Sequence, residues 1–169
     1  MNDLEPSDQH HLEAAQGWLT LGNHLEANEE LEQVEAKNRT HPNVLQVRWR
    51  IYAKAEKWDA CLDIATALTQ MTPDRRFGWV HLAMTLRKLN RVAEARDVLL
   101  SVLDKFEPNT TFPYYLACYC ANLGDLEAAR TWLAKALSTA RDEEEAGRIK
   151  LRAMNESDLE LLWKKIGEA

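Results

Sequence analysis

Apolar residues recur along most of the chain at three- and four-residue spacing, in stretches separated by short polar turns. That spacing gathers them into one stripe on a helix of about 3.6 residues per turn. The helices it predicts cover 8–21, 24–38, 43–55, 57–71, 74–89, 91–106, 111–122 and 125–140. Local signals agree with these bounds. Ser7 precedes the first helix, and Asn23 with Glu26 resembles a capping box before the second. Thr72–Pro73 and His41–Pro42 each place a proline in a first turn, and Gly22 and Gly124 fall at helix ends, where a left-handed residue is needed. Beyond 140, "RDEEEAGRIKLRAM" predicts a helix with acids in its first turn, which suit the helix dipole. "SDLELLWKKIGEA" predicts another, opened by Ser157 and Glu160 and carrying the stripe Leu159, Leu162, Trp163 and Ile166.

The turns and small residues also keep a long period. Ala27, Cys61, Ala95 and Ala129 stand 34 residues apart, and four residues after each come Leu31, Ala65, Leu99 and Leu133. Three residues further stand Val34, Leu68, Val102 and Ala136, and twelve before each mark stand Ala15, Trp49, Ala83 and Ala117. A fixed period of this length, with no insertion, signifies stacked helix–turn–helix units. Two antiparallel helices approach closely only where side chains are small, and one pair cannot bury its apolar faces alone.

These residues resemble the tetratricopeptide repeat (TPR) family over about 7–140. The third unit matches best, with Trp79, Leu82, Ala83, Leu86, Ala95, Leu99, Val102 and Pro108. The fourth has Leu116, Ala117, Cys120, Gly124, Leu126, Ala129, Leu133 and Ala136, with Pro113 in an aromatic slot. The first gives Ala14, Ala15, Trp18, Gly22, Ala27, Leu31 and Val34. The second keeps Tyr52, Trp58, Cys61, Leu68 and Pro73, but puts Trp49 in a small-residue slot and Arg48 in a leucine slot. The resemblance implies an all-α fold, a right-handed α-solenoid of stacked antiparallel helix pairs (a TPR superhelix). It implies repeats at about 8–41, 42–75, 76–109 and 110–143, after a flexible segment 1–6. Residues 141–169 then read as capping helices that cover the last repeat, with a dimerising surface as the competing view.

Composition narrows the function. With 46% hydrophobic and 28% charged residues the chain is made like a folded soluble protein, and its net charge of −6 opposes general affinity for nucleic acid or anionic membrane. The opening "MNDLEPSDQHH" lacks the pattern of a secretory signal, and no run approaches the roughly 20 apolar residues of a membrane span. Cys61, Cys118 and Cys120 sit in apolar helical patterns and read as small buried hydrophobes, so a cytoplasmic location is expected. His10 and His11 point about 100° apart on a helix, a poor start for a metal site. No phosphate loop and no nucleophile–base pair is evident, so neither catalysis nor a cofactor is expected.

In TPR arrays the first helix of each pair, here helix A, lines the concave side. Carried onto this chain, that register gives Leu12 and Gln16, then Gln46, Arg50 and Lys54, then Phe77, Val80, Met84, Arg87 and Lys88. Tyr114 and Cys118 follow, with Arg148 and Arg152 from the next helix. The set joins apolar anchors to basic side chains and lacks acids, in a protein acidic overall. It favours a protein or peptide segment bearing carboxylates and a few apolar side chains. The resemblance does not extend to the clamp by which some TPR domains hold a chaperone's terminal carboxylate, because Leu12, Gln16 and Val47 stand in its slots. "TTFPYYLACYCANLGDLEAA" weakly resembles the third repeat of small secretion chaperones, which hold unfolded clients, often as homodimers. A structural subunit docking through its outer face, with Trp58 and Trp132, is the remaining alternative.

Overall fold

The computed structural model describes residues 4–162, and every regular element among them is helical. Among the described residues nine α-helices follow in order: α1 (Pro6–Thr20), α2 (His24–Glu32), α3 (Pro42–Lys54), α4 (Trp58–Met71), α5 (Arg76–Lys88), α6 (Val92–Val102), α7 (Thr111–Asn122), α8 (Leu126–Ser138) and α9 (Glu143–Met154), and residues 160–162 are helical as well. Short 3-10 turns occupy Ala36–Asn38, Leu103–Lys105 and Ser157–Leu159. Trp163 and Ile166 of the expected last stripe lie outside the described residues. The chain forms two compact units, one up to Thr85 and one from Leu86 onward, so the division falls within α5.

In the first unit α1 packs on α2, α2 on α3, and α3 on α4; in the second, α6 packs on α7, α7 on α8, and α8 on α9. All four sets of residues marked by the 34-residue period are buried, none more than 8% exposed. Trp49 obeys the rule despite its size. Its backbone still meets α4 closely enough for the Cys61 thiol to donate to the Trp49 carbonyl at 3.7 Å. The indole leaves that crossing and stacks on His81 of α5, with ring centroids 3.9 Å apart and planes 5° from parallel.

The turn between the two helices of a pair recurs with the same backbone. Gly22, Glu56, Asn90 and Gly124 all have positive φ, at 82°, 56°, 61° and 85°. The next residue's amide reaches back to the carbonyl five residues earlier each time: Asn23 to Trp18, Lys57 to Tyr52, Arg91 to Leu86 and Asp125 to Cys120, at 2.8–2.9 Å. This double-bonded helix ending satisfies carbonyls that would otherwise be orphaned. Glycine fills the left-handed position twice; Glu56 and Asn90 occupy it because the pairing demands it.

Several local signals act differently from expectation. Glu5, not Ser7, is the N-cap of α1, because Pro6 takes the first helical position. Leu4, in the segment expected to be flexible, packs against the core of the first unit. Pro73 lies in a turn before α5 rather than in its first turn; its carbonyl accepts from the Trp79 indole at 3.0 Å. Ser157 sits inside a 3-10 turn after Glu156 and makes no cap bond. Asn23, Asp125 and Asp142 cap α2, α8 and α9 with their side chains, and His41 caps α3 through its ring.

The expected helix 24–38 stops at Glu32, and Asp8 explains the stop. This carboxylate is only 1% exposed; it accepts from the Glu35 amide at 3.0 Å and from Asn38 Nδ2 at 2.6 Å. Its pKa is lowered chiefly by the Asn38 bond and then by the Glu35 amide. Arg39 donates to the carbonyls of Glu32 and Val34, closing the same helix end.

Candidate peptide-binding face

In the first unit, Gln46, Arg50 and Lys54 succeed one another by four residues along α3 and therefore share a face. Arg50 and Lys54 are exposed, and neither forms an ion pair among the described residues. Phe77, Val80 and Met84 of α5 are half-buried. His81 lies among them, tilted against Phe77 with centroids 6.2 Å apart and stacked on Trp49. Burial, followed by the Arg50 charge, pulls the His81 pKa down to about 4, and neither ring nitrogen has a hydrogen-bond partner. The imidazole is thus neutral at physiological pH and behaves as an aromatic plate within reach of the Arg50 charge. Gln16 is exposed on α1, whereas Leu12 is 2% exposed and is part of the core of this unit. Leu12 has no surface to offer a partner.

Gly78 sets α5 against α4. A Cβ there would stand 3.2 Å from the Leu68 carbonyl carbon and 3.2 Å from the Thr69 nitrogen, both backbone atoms. The approach is tighter than most Cβ contacts, and the atoms met are backbone that yields only by shifting α4, so glycine suits this helical position despite its poor propensity.

In the second unit the residues from the same register are already engaged. Arg87 Nε donates to Asp158 Oδ2 at 2.5 Å, and its Nη2 lies 3.6 Å from Glu156 Oε1. The other oxygen of Asp158 accepts from Asn122 at 3.0 Å. Arg152 lies over the Tyr114 ring, 4.3 Å from its centroid, and donates to the Tyr115 hydroxyl at 2.8 Å. Arg148 pairs with Glu144 one turn earlier, and Lys88 is exposed. Tyr114 and Cys118 are each 2% exposed, so they form the floor beneath Arg152 and do not project. A concavity of about 180 Å³ beside them is lined by Thr110, Thr111, Tyr114, Glu145, Arg148, Ile149 and Arg152.

Sequence reasoning did not find Glu156 and Asp158. The signal available was "ESDL", two acids preceding buried leucines, but its place on α7 depends on tertiary contacts.

The cysteines are chemically quiet. All three are free and buried; burial pushes the Cys61 thiol up to about 11, and burial with the charges of Glu156 and Asp158 pushes Cys118 up to about 12. His11 is not a bare surface imidazole: its Nδ1 lies 3.0 Å from Glu30. Among the described residues no three His, Cys, Asp or Glu side chains cluster as a metal site would require. Nor is any described helix long and apolar enough to cross a membrane.

Comparison with known proteins agrees with this architecture. The tetratricopeptide repeat family matches residues 114–143, which run from α7 through α8. No curated protein matches. A thermophilic TPR protein of Thermus thermophilus is similar in fold, with a TM-score of 0.72 and 18% identity, over 94% of this chain and 97% of that one. A MamA RS-1 ArsTM double mutant is also similar, with a TM-score of 0.68 and 16% identity, over 98% of this chain and 96% of that one. Residues 114–143 thus match the tetratricopeptide repeat family, and the chain as a whole shares the all-α fold of consecutive helix pairs seen in the thermophilic TPR protein.

Proposed function

We propose that this chain is a non-catalytic interaction module of four TPR repeats that binds a segment of another protein along the face of its A helices. The observation that carries the reading is the pair Arg50 and Lys54. Most arginines of the chain are neutralised by an acid, including Arg39, Arg48, Arg87, Arg91, Arg96, Arg130, Arg141 and Arg148. Arg50 and Lys54 are not, although the protein carries an excess of acids. Two free cations one turn apart on α3, together with the half-buried Phe77, Val80 and Met84 that the same register selects on α5, suit a ligand that brings carboxylates and apolar side chains.

The reading is tested by using the chain as bait in extract of its native cell, with mass spectrometry of what is retained. The charge-reversed variant R50E/K54E should lose the retained partner, while W132A, on the B helix α8, should keep it. Equal retention by R50E/K54E and the parent chain would refute use of the A face.

A further inference from the structure

The repeat pattern breaks at α9. Thirty-four residues after Ala117, at the A-helix position buried in all four earlier pairs, stands Leu151, and it is 64% exposed. Met154, on the same side of α9 one turn later, is 68% exposed. The side of α9 where a partner B helix would lie is therefore open among the described residues. The residues after α9 go elsewhere: the Ser157–Leu159 turn packs against α7, the A helix of the preceding pair.

The chemistry of that contact is the chemistry expected of a ligand. Two carboxylates, Glu156 and Asp158, converge on Arg87, which the repeat register assigns to the binding face. Asp158 also accepts from Asn122, which projects from the last turn of α7. Leu159 and Leu162 come next, 0% and 1% exposed. Acid, acid, leucine, leucine is the mixture that suits basic and aromatic side chains on an A-helix face, and here the chain supplies it itself.

We infer that residues 156–162 are an internal occupant of the α7 face, and that the external partner of this face is an acidic, leucine-bearing segment of the same kind that displaces them. The inference rests on the A-helix face being the binding face, and it adds that in the second unit this face is held closed. A tethered segment acts at an effective concentration of the order of millimolar. An outside peptide is weakened by the fraction of molecules that are closed, and loosening the internal contact restores its affinity.

The probe is a synthetic peptide of residues 155–169, fluorescently labelled and titrated into the full-length chain. Wild type should bind it weakly. D158K, which replaces the carboxylate on Arg87 by a repelling charge, should bind it at least tenfold more tightly. R87E should bind it no better than a scrambled peptide. A folded D158K with unchanged affinity, or R87E binding as D158K does, overturns the inference. Should D158K fail to fold, hydrogen exchange on the wild-type chain decides: amides of 157–162 exchanging at least a hundredfold faster than those of α7 support a displaceable segment, and equal protection overturns it. The peptide assay reads only the second unit, so loss of the extract partner in R50E/K54E with no effect of D158K would sink this inference and leave the proposed function standing. Tighter peptide binding by D158K with the extract partner retained by R50E/K54E would sink the role given to Arg50 and Lys54 and leave the α7 face as the binding surface.

Discussion

Glu56 is a non-glycine residue held at φ 56° in a turn whose counterparts in the first and last pairs are glycines. A left-handed conformation costs an L-residue roughly 1–2 kcal/mol. Replacing Glu56 by glycine removes that cost and adds back roughly 0.5–1 kcal/mol of unfolded-chain entropy. Glu56 is exposed, and no side-chain bond is lost with it. E56G should therefore stabilise the protein by about 0.5–1 kcal/mol. Asn90, at φ 61°, tolerates this conformation better, so N90G should change stability little. Gly22 and Gly124 give the converse test. A Cβ at either would meet nothing within 4 Å, so G22A and G124A isolate the backbone penalty. Each should cost about 1 kcal/mol. Urea denaturation of the four variants, at constant m, reads the order E56G above parent and N90G, with G22A and G124A below. At this chain length 1 kcal/mol moves Tm by about 2–4 °C. If E56G unfolds at lower urea than the parent, the shared turn geometry is not what sets these residues.

Three further outcomes rest on single contacts. D8A leaves the Glu35 amide and Asn38 without their carboxylate, so stability should fall by about 2–3 kcal/mol, or about 4–12 °C in Tm. Because the folded pKa of Asp8 is lowered, its contribution is complete above the unfolded value of about 4 and is lost as pH falls through the folded value; the gap between D8A and parent should be flat from pH 5 to 8 and close at lower pH, as acid titration of thermal melts would show. G78A gains about 1 kcal/mol of helix propensity but forces a methyl against the α4 backbone, an overpacking cost of about 1–3 kcal/mol, so a net loss in urea midpoint is expected. W49A removes the buried indole stacked on His81 and its hydrogen bond to Thr85, and calorimetry should find about 3–5 kcal/mol less stability.

Much of the fold was written as period. The residues at 27, 61, 95 and 129 with their satellites mark the helix crossings, and each is buried. Gly22 and Gly124 were legible as left-handed turns from residue type; Glu56 and Asn90 were not, and only their place in the period reveals them. Asp8 was invisible because its partners, Glu35 and Asn38, lie about 30 residues away and one of them is a backbone amide. Pro73 misled because a proline fits a turn as readily as a first helical residue. On the candidate face, register selected Arg50, Lys54 and Arg87 alongside Leu12, Tyr114 and Cys118, but it could not separate projecting side chains from buried ones. Leu12, Tyr114 and Cys118 share the stripe, yet neighbouring side chains cover them. The acids on Arg87 escaped notice because the period ends before them, and nothing local says that a segment after α9 lies on α7.

Use of the A-helix face is tested most directly by photocrosslinking in the native cell. A photoreactive phenylalanine analogue is placed at Gln46, on the α3 face of Arg50 and Lys54, or at Thr131, exposed on the B helix α8. The account expects one discrete adduct from position 46 and none from 131, with the adduct abolished by R50E/K54E. An adduct from 131 alone, or from 46 in undiminished yield after charge reversal, would contradict it.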